Sequence, residues 1–173
     1  VTPTSMAQEP VDNDPYEWLE DVTGDKAIEW VKERNAKAES TLTTSDDFKK
    51  LESDLLAILD SDARIPFVSK HGDYYYNFWR DKKNIKGLWR RTTLEEYKKP
   101  SPQWEVILDL DKLSAEENEG WVWKGASFLR PDYDRVLIDV SRGGADATVT
   151  REFEISTKSF VKGGFERPEA KGS

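Results

Sequence analysis

From Pro66 onward the chain is written in a period of two, and this constrains its fold more than any other feature. Tyr74, Tyr76, Phe78 and Arg80 fall on one side of an extended segment, and Tyr75, Asn77 and Trp79 on the other. Both sides are bulky, which predicts a strand covered on both faces. Asp81 to Gly87 reads as a long basic turn, and Leu88–Leu94 as the returning strand of a hairpin. Beyond the loop Pro100-Ser101-Pro102, Trp104–Leu110 is a third strand, followed by an acidic helical turn or loop over 112–120. A second set then begins. Trp121–Leu129 and Arg135–Ser141 are strands around the tight turn Pro131-Asp132-Tyr133-Asp134. The loop Arg142 to Asp146 leads to a strand over Thr148–Ile155, and Ser156-Thr157-Lys158 turns into Phe160-Val161. The tail from Lys162 is rich in Gly, Pro and Lys.

Short strands joined by turn signals predict an antiparallel meander. Two successive sets of about four strands match the blade unit of a β-propeller. Two blades cannot close a ring, and an isolated pair would leave faces and edges open. The strands therefore read as part of a larger array.

The first third is different. Residues 1–13 are a flexible lead-in with little to bury. Asp14-Pro15-Tyr16-Glu17-Trp18-Leu19-Glu20-Asp21 then sets two large aromatics and a Leu among acids. Chain ends are disordered unless tied down, and Tyr16, Trp18 and Leu19 look like such a tie. Thr23-Gly24-Asp25 turns into a helix over about 25–41, with Asp25 as N-cap and Ala27, Trp30, Val31, Arg34 and Ala38 at helical spacing. A second helix starts after a Thr44 or Ser45 cap, with Phe48, Leu51, Leu55, Ile58 and Leu59 as its stripe. Residues 1–65 carry a balance of −9, and 66–173 a balance of +1, within a net charge of −8. The fold class is thus α+β, with a boundary near Pro66: a helical arm over 14–65, then a β-meander over 66–173.

Composition narrows the chemistry. Seven Trp, six Tyr and seven Phe exclude a disordered chain. The absence of Cys removes disulfides, thiolate catalysis and Cys-based metal sites. No apolar run approaches the roughly 20 residues of a membrane span. No signal peptide is visible, and the opening on Val1 suggests processing or an artificial boundary. The compartment stays open between cytoplasmic, periplasmic and secreted.

Gly125-Ala126-Ser127-Phe128-Leu129 lacks the second Gly of a nucleophile elbow and reads as strand. His71 is the only His and sits in Lys70-His71-Gly72-Asp73, which reads as an exposed hairpin turn. One His and no Cys leave no zinc set. Glu95-Glu96 and Glu116-Glu117 read as solvated acids beside Lys, and Asp109 with Asp111 as a strand-end turn. Gly143-Gly144 and Gly163-Gly164 lack the spacing of a phosphate loop. Arg80 to Lys99 holds eight bases against three acids, interleaved with aromatics, which is one way to bind single-stranded nucleic acid. The net charge of −8 opposes that partner, and a solvated hairpin is the expected state. No cofactor, metal or catalytic residue is expected.

Asp14 to Asp21, followed by Trp30-Val31 and Asn35, resembles the amino-terminal signature of the prolyl oligopeptidase family of serine peptidases. Tyr75-Tyr76-Asn77-Phe78, Gly87 to Leu94, Leu108-Asp109 and Ser141 to Asp146 follow in the family's order. The chain has Arg130-Pro131-Asp132-Tyr133 where a Ser-Pro-Asp-Gly turn is common. The resemblance implies a seven-bladed propeller that covers an α/β-hydrolase domain and restricts access to short peptides. It implies that the arm docks on the hydrolase domain through Tyr16, Trp18, Leu19 and Trp30. The catalytic Ser, Asp and His would lie beyond Ser173, so this chain alone is expected to be inactive and to act as scaffold and gate. Its partners would be the hydrolase domain and remaining blades of its parent, with a peptide as the parent's substrate; self-association through open sheet edges is a further expectation. The alternative is a free-standing binding module that uses exposed aromatics.

Overall fold

The computed structural model describes residues 14–61 and 63–171. The chain divides after Leu56 into two compact units. The lead-in expected over 1–13 lies outside the described residues.

In the first unit a short 3-10 turn, Glu17–Glu20, precedes α1 (Asp25–Leu42). Asp25 is the first residue of α1, not its cap. The cap position is Gly24, and no side chain bonds the free amides there. The Asp25 carboxylate still suits the positive end of the helix dipole. α2 (Asp46–Leu59) starts as expected, because Ser45 Oγ accepts the Phe48 amide at 3.2 Å. Its stripe of Phe48, Leu51, Leu55, Ile58 and Leu59 is exposed.

The second unit carries two antiparallel sheets. The first is β1 (Ser69–His71), β2 (Tyr74–Trp79), β3 (Leu88–Thr93) and β4 (Glu105–Asp109), in chain order. One turn of helix, α3 (Leu94–Tyr97), follows β3; Thr93 caps it by accepting the Glu96 amide. The acidic stretch after β4 is α4 (Leu110–Glu117). Its cap is Asp109, whose Oδ1 accepts the Lys112 amide at 3.0 Å, and it ends at Asn118 in the left-handed conformation.

The second sheet is β5 (Trp121–Phe128), β6 (Arg135–Arg142) and β7 (Thr148–Glu154), again in chain order. The fourth position is shared. β8 (Ser159–Phe160) pairs with the end of β7, and β9 (Glu166–Ala170) with its beginning. Each sheet thus has four strand positions, the repeat unit of a propeller blade.

The registers decide which residues meet. Tyr76 pairs with Arg91 and Phe78 with Trp89, so Tyr74, Tyr76, Phe78 and Trp89 share one face. Trp123 pairs with Val140, Ala126 with Ile138 and Phe128 with Val136, which gives the second sheet an apolar face. These two faces close on each other. Phe78 stacks on Trp123 with centroids 5.2 Å apart, Tyr76 meets Phe128 edge-on at 4.8 Å, and Trp89 lies 5.3 Å from Trp123. Ile138, Val140 and Phe153 are fully buried behind this layer. Each such ring pair adds about 0.5–1.5 kcal/mol beyond burial alone.

Gly87 closes the β2–β3 loop against this core. Its φ is +110°, and a Cβ there would run into the Phe78 ring. Its carbonyl accepts the Leu110 amide at 3.0 Å, which joins the loop to the start of α4.

Trp89 is 3% exposed and touches rings of both sheets. Trp89→Ala should cost about 3–5 kcal/mol, the usual range for emptying a buried aromatic site. Denaturant unfolding of the 173-residue chain checks this. Gly87→Ala should also destabilise, because both its dihedral and its space exclude a side chain.

Candidate functional site

The seam between the sheets leaves a cleft of about 380 Å³. Phe78, Trp89, Trp123 and Phe128 line it, with His71 at its margin. A second hollow of about 300 Å³ lies between the β1–β2 and β5–β6 turns.

His71 lies between the two hollows. The sequence suggested an exposed turn residue. Instead it ends β1 and is half-buried, while the turn itself is Gly72-Asp73. Its ring stacks on Phe128 with centroids 3.8 Å apart and planes 13° apart, and Tyr76 and Tyr133 approach it at 5.8 and 6.0 Å. Tyr133 has a left-handed φ of 55° in the turn Arg130-Pro131-Asp132-Tyr133. A bulky residue rarely adopts that conformation. The Tyr133 ring packs beside those of His71 and Phe128.

Burial first, and then the charge of Arg130, push the His71 imidazole below its ordinary value. Among the described residues no carboxylate or hydroxyl bonds to it. It therefore lacks both the nucleophile and the orienting acid that a general base of the Ser-His type needs. Ser127 lies inside β5, paired with Leu137, and not on a strand-to-helix turn. Among the described residues no three His, Asp or Glu side chains gather as a metal set. Asp109 caps α4, and Asp111 accepts the amides of Lys86 and Gly87 at 3.1–3.3 Å. Both are committed to holding loops.

Several bases of the hairpin over 80–99 are internally engaged. Arg80 Nε donates to the Ile85 carbonyl, and Arg91 Nε to Glu105 at 2.7 Å. Lys98 pairs with Glu95, and Lys99 with Glu96. Burial alone would raise the Asp81 carboxyl. Hydrogen bonds from the Asn84 and Lys83 amides and from the Trp79 and Asn84 side chains outweigh it and hold Asp81 below the usual range. The aromatic faces of the hairpin are also taken. Guanidinium groups of Arg64 and Arg90 sit over Trp79 at 4.5 and 4.4 Å, and Arg90 also lies 4.3 Å from Trp104. These are the surfaces that a stacking base would need.

In the first unit, Trp18 meets Trp30 edge-on at 6.2 Å, and its Nε1 donates to the Pro15 carbonyl at 3.0 Å. Lys26 lies over Trp18 at 4.1 Å. Leu19 is half-buried, whereas Tyr16 is 56% exposed. The structure thus brings together Trp18 and Trp30 but leaves Tyr16 outside their contact. No described helix is long and apolar enough to cross a membrane.

Residues 2–173 match the family model described as prolyl oligopeptidase, N-terminal beta-propeller domain. The chain is 42% identical over 163 residues to the uncharacterized peptidase y4nA of Sinorhizobium fredii, covering 93% of this chain and 22% of that protein. It is 38% identical to the uncharacterized peptidase RP174 of Rickettsia prowazekii, covering 86% and 21%. Among solved structures, a post-proline cleaving enzyme from Rickettsia typhi superposes with a TM-score of 0.82 at 39% identity, over 87% of this chain and 22% of that one. The chain thus spans about a fifth of the length of these relatives.

The burial of His71 generates a pH prediction. Folding favours its neutral ring, so its contribution is full above the ordinary value of 6.5 and is lost as pH falls below it. Thermal melting between pH 8 and pH 5 should show a loss that His71→Gln reduces. Equal pH dependence in both proteins would contradict the assignment.

Proposed function

The chain belongs to the prolyl oligopeptidase family, and on that premise we propose that it is the non-catalytic amino-terminal part of a serine peptidase that cleaves peptides after proline. The observation that carries this reading is the pair of four-position sheets joined by an aromatic seam, within a family model for a propeller domain. A propeller is a ring of such sheets, and two of them supply only an arc of it.

In this reading the two sheets are the first blades of a gate that limits access to the peptidase centre. The arm is the docking element. Tyr16, Trp18, Leu19 and Trp30, together with the exposed stripe of α2, are apolar surface that a hydrolase domain of the same polypeptide would cover. Exposed apolar surface on this scale is characteristic of an interaction site. The nucleophile, base and acid would come from that domain, in keeping with the isolation of His71 from any hydroxyl or carboxylate partner among the described residues.

The test is the intact mass of the native polypeptide from its source, together with its activity on a chromogenic prolyl peptide. A polypeptide several times longer than 173 residues, active on that peptide, is the expected result. The purified 173-residue chain should show no turnover. A native chain that ends at Ser173 would overturn the reading, as would turnover by the short chain that His71→Ala abolishes.

A further inference from the structure

The face of the first sheet turned away from the second is built differently from the seam. Asn77 pairs with Arg90 across β2 and β3, and Tyr75 with Thr92, so these residues alternate with Tyr76 and Trp89 and point the other way. Asn77 and Thr92 are nevertheless buried. The strap Arg64-Ile65-Pro66-Phe67 runs along this face. The Phe67 carbonyl accepts from Asn77 Nδ2 at 2.8 Å, the Pro66 carbonyl accepts from the Tyr97 hydroxyl at 2.9 Å, and Arg64 Nη2 donates to the Arg80 carbonyl at 2.5 Å.

Arg90 stands in the middle of this face. Its guanidinium lies 4.4 Å from the Trp79 ring and 4.3 Å from the Trp104 ring, so the two indoles fix it in place. Its Nε donates to Asn77 Oδ1 at 3.0 Å. Among the described residues no acceptor meets its two terminal nitrogens. Burial pushes the group down to about 10, against a smaller opposing pull from Asp81, so it stays charged at neutral pH. Asp81 does not pair with it; that carboxylate already accepts from Trp79, Lys83 and Asn84.

A half-buried charge with unfilled donors is costly unless something completes it. A guanidinium held by stacking, with its fork open, fits a carboxylate in two parallel hydrogen bonds. Arg64 and Arg90, both over the Trp79 ring, also make this face locally basic, which favours an acidic occupant. In a ring of sheets stacked face to face, the face of the first sheet away from the second meets the last sheet. The chain covers about a fifth of its relatives, which leaves that last sheet in the remainder.

We propose that Arg90 is the receptor for an Asp or Glu carried by the ring-closing sheet, in the part of the polypeptide beyond residue 173. This rests on the reading that the chain continues into further blades. The closing contact of the ring is then a charged clamp framed by Trp79 and Trp104, unlike the apolar contact between the first two sheets.

Arg90→Lys in the longer polypeptide, treated with a zero-length carbodiimide and mapped by mass spectrometry, tests this directly. The expected product links residue 90 to an Asp or Glu beyond 173. A link between Lys158 and Glu105, which lie 3.0 Å apart, is the internal control. With that control present, links from residue 90 only to acids within 1–173, or no link at all, would overturn the proposal. A link formed only after an acidic peptide is added would assign Arg90 to a separate ligand and also overturn it. The unsubstituted protein gives a second readout. Phenylglyoxal should modify Arg90 in the 173-residue chain and be at least several-fold slower in the longer one; equal rates would contradict the clamp. A native polypeptide ending at Ser173 would instead fail the functional reading, so the two failures are distinct.

Discussion

The contact between Phe128 and the rings around it is the interaction on which the second unit depends. Phe128 comes from the last residue of β5, yet it touches His71 of β1, Tyr76 of β2 and Trp89 of β3. One side chain thus joins three strands of the other sheet. The opposite face of the second sheet is instead polar and charged. On the second sheet, Arg135 pairs with Glu152 and Glu154, and Thr150 bonds Asp139. The non-directional gain of burial is concentrated in one plane, and exposed ion pairs of this kind add little to it.

This division of labour explains what the sequence disclosed and what it withheld. The period-two pattern of Tyr74 to Trp79 revealed a strand covered on both sides, and the succession of strands revealed blade-like sheets. It did not reveal that the two covers differ. Tyr76 and Asn77 are adjacent and equally buried, but one packs against rings and the other bonds a strap carbonyl. Alternation records burial and not the chemistry of what covers a residue.

The candidate site was less legible for the same reason. His71 sits beside Gly72-Asp73, and local turn signals made it look exposed; its burial comes from Phe128, 57 positions away. Arg90 looked like one base among eight in a hairpin, while its setting depends on Trp104 beyond the next loop. Aromatic residues near Arg were visible, but whether they meet on one face depends on register, which short-range spacing leaves open. The sequence marked Trp18 and Trp30 only as docking residues of the arm, and did not disclose that they meet each other across one turn and a helix start.

The fourth position of the second sheet has a further consequence. Two short pieces, Ser159–Phe160 and Glu166–Ala170, share it, with a turn between them. A strand offered from outside would find no continuous ladder there, because the chain leaves the hydrogen-bonding line between the two pieces. The outer strand of the first sheet, Glu105–Asp109, is also short and runs directly into a helix. Both outer rims are therefore poorer templates for the edge-to-edge self-association that the sequence suggested than long continuous strands would be. Such an architecture lengthens by stacking faces, so growth does not depend on either outer edge.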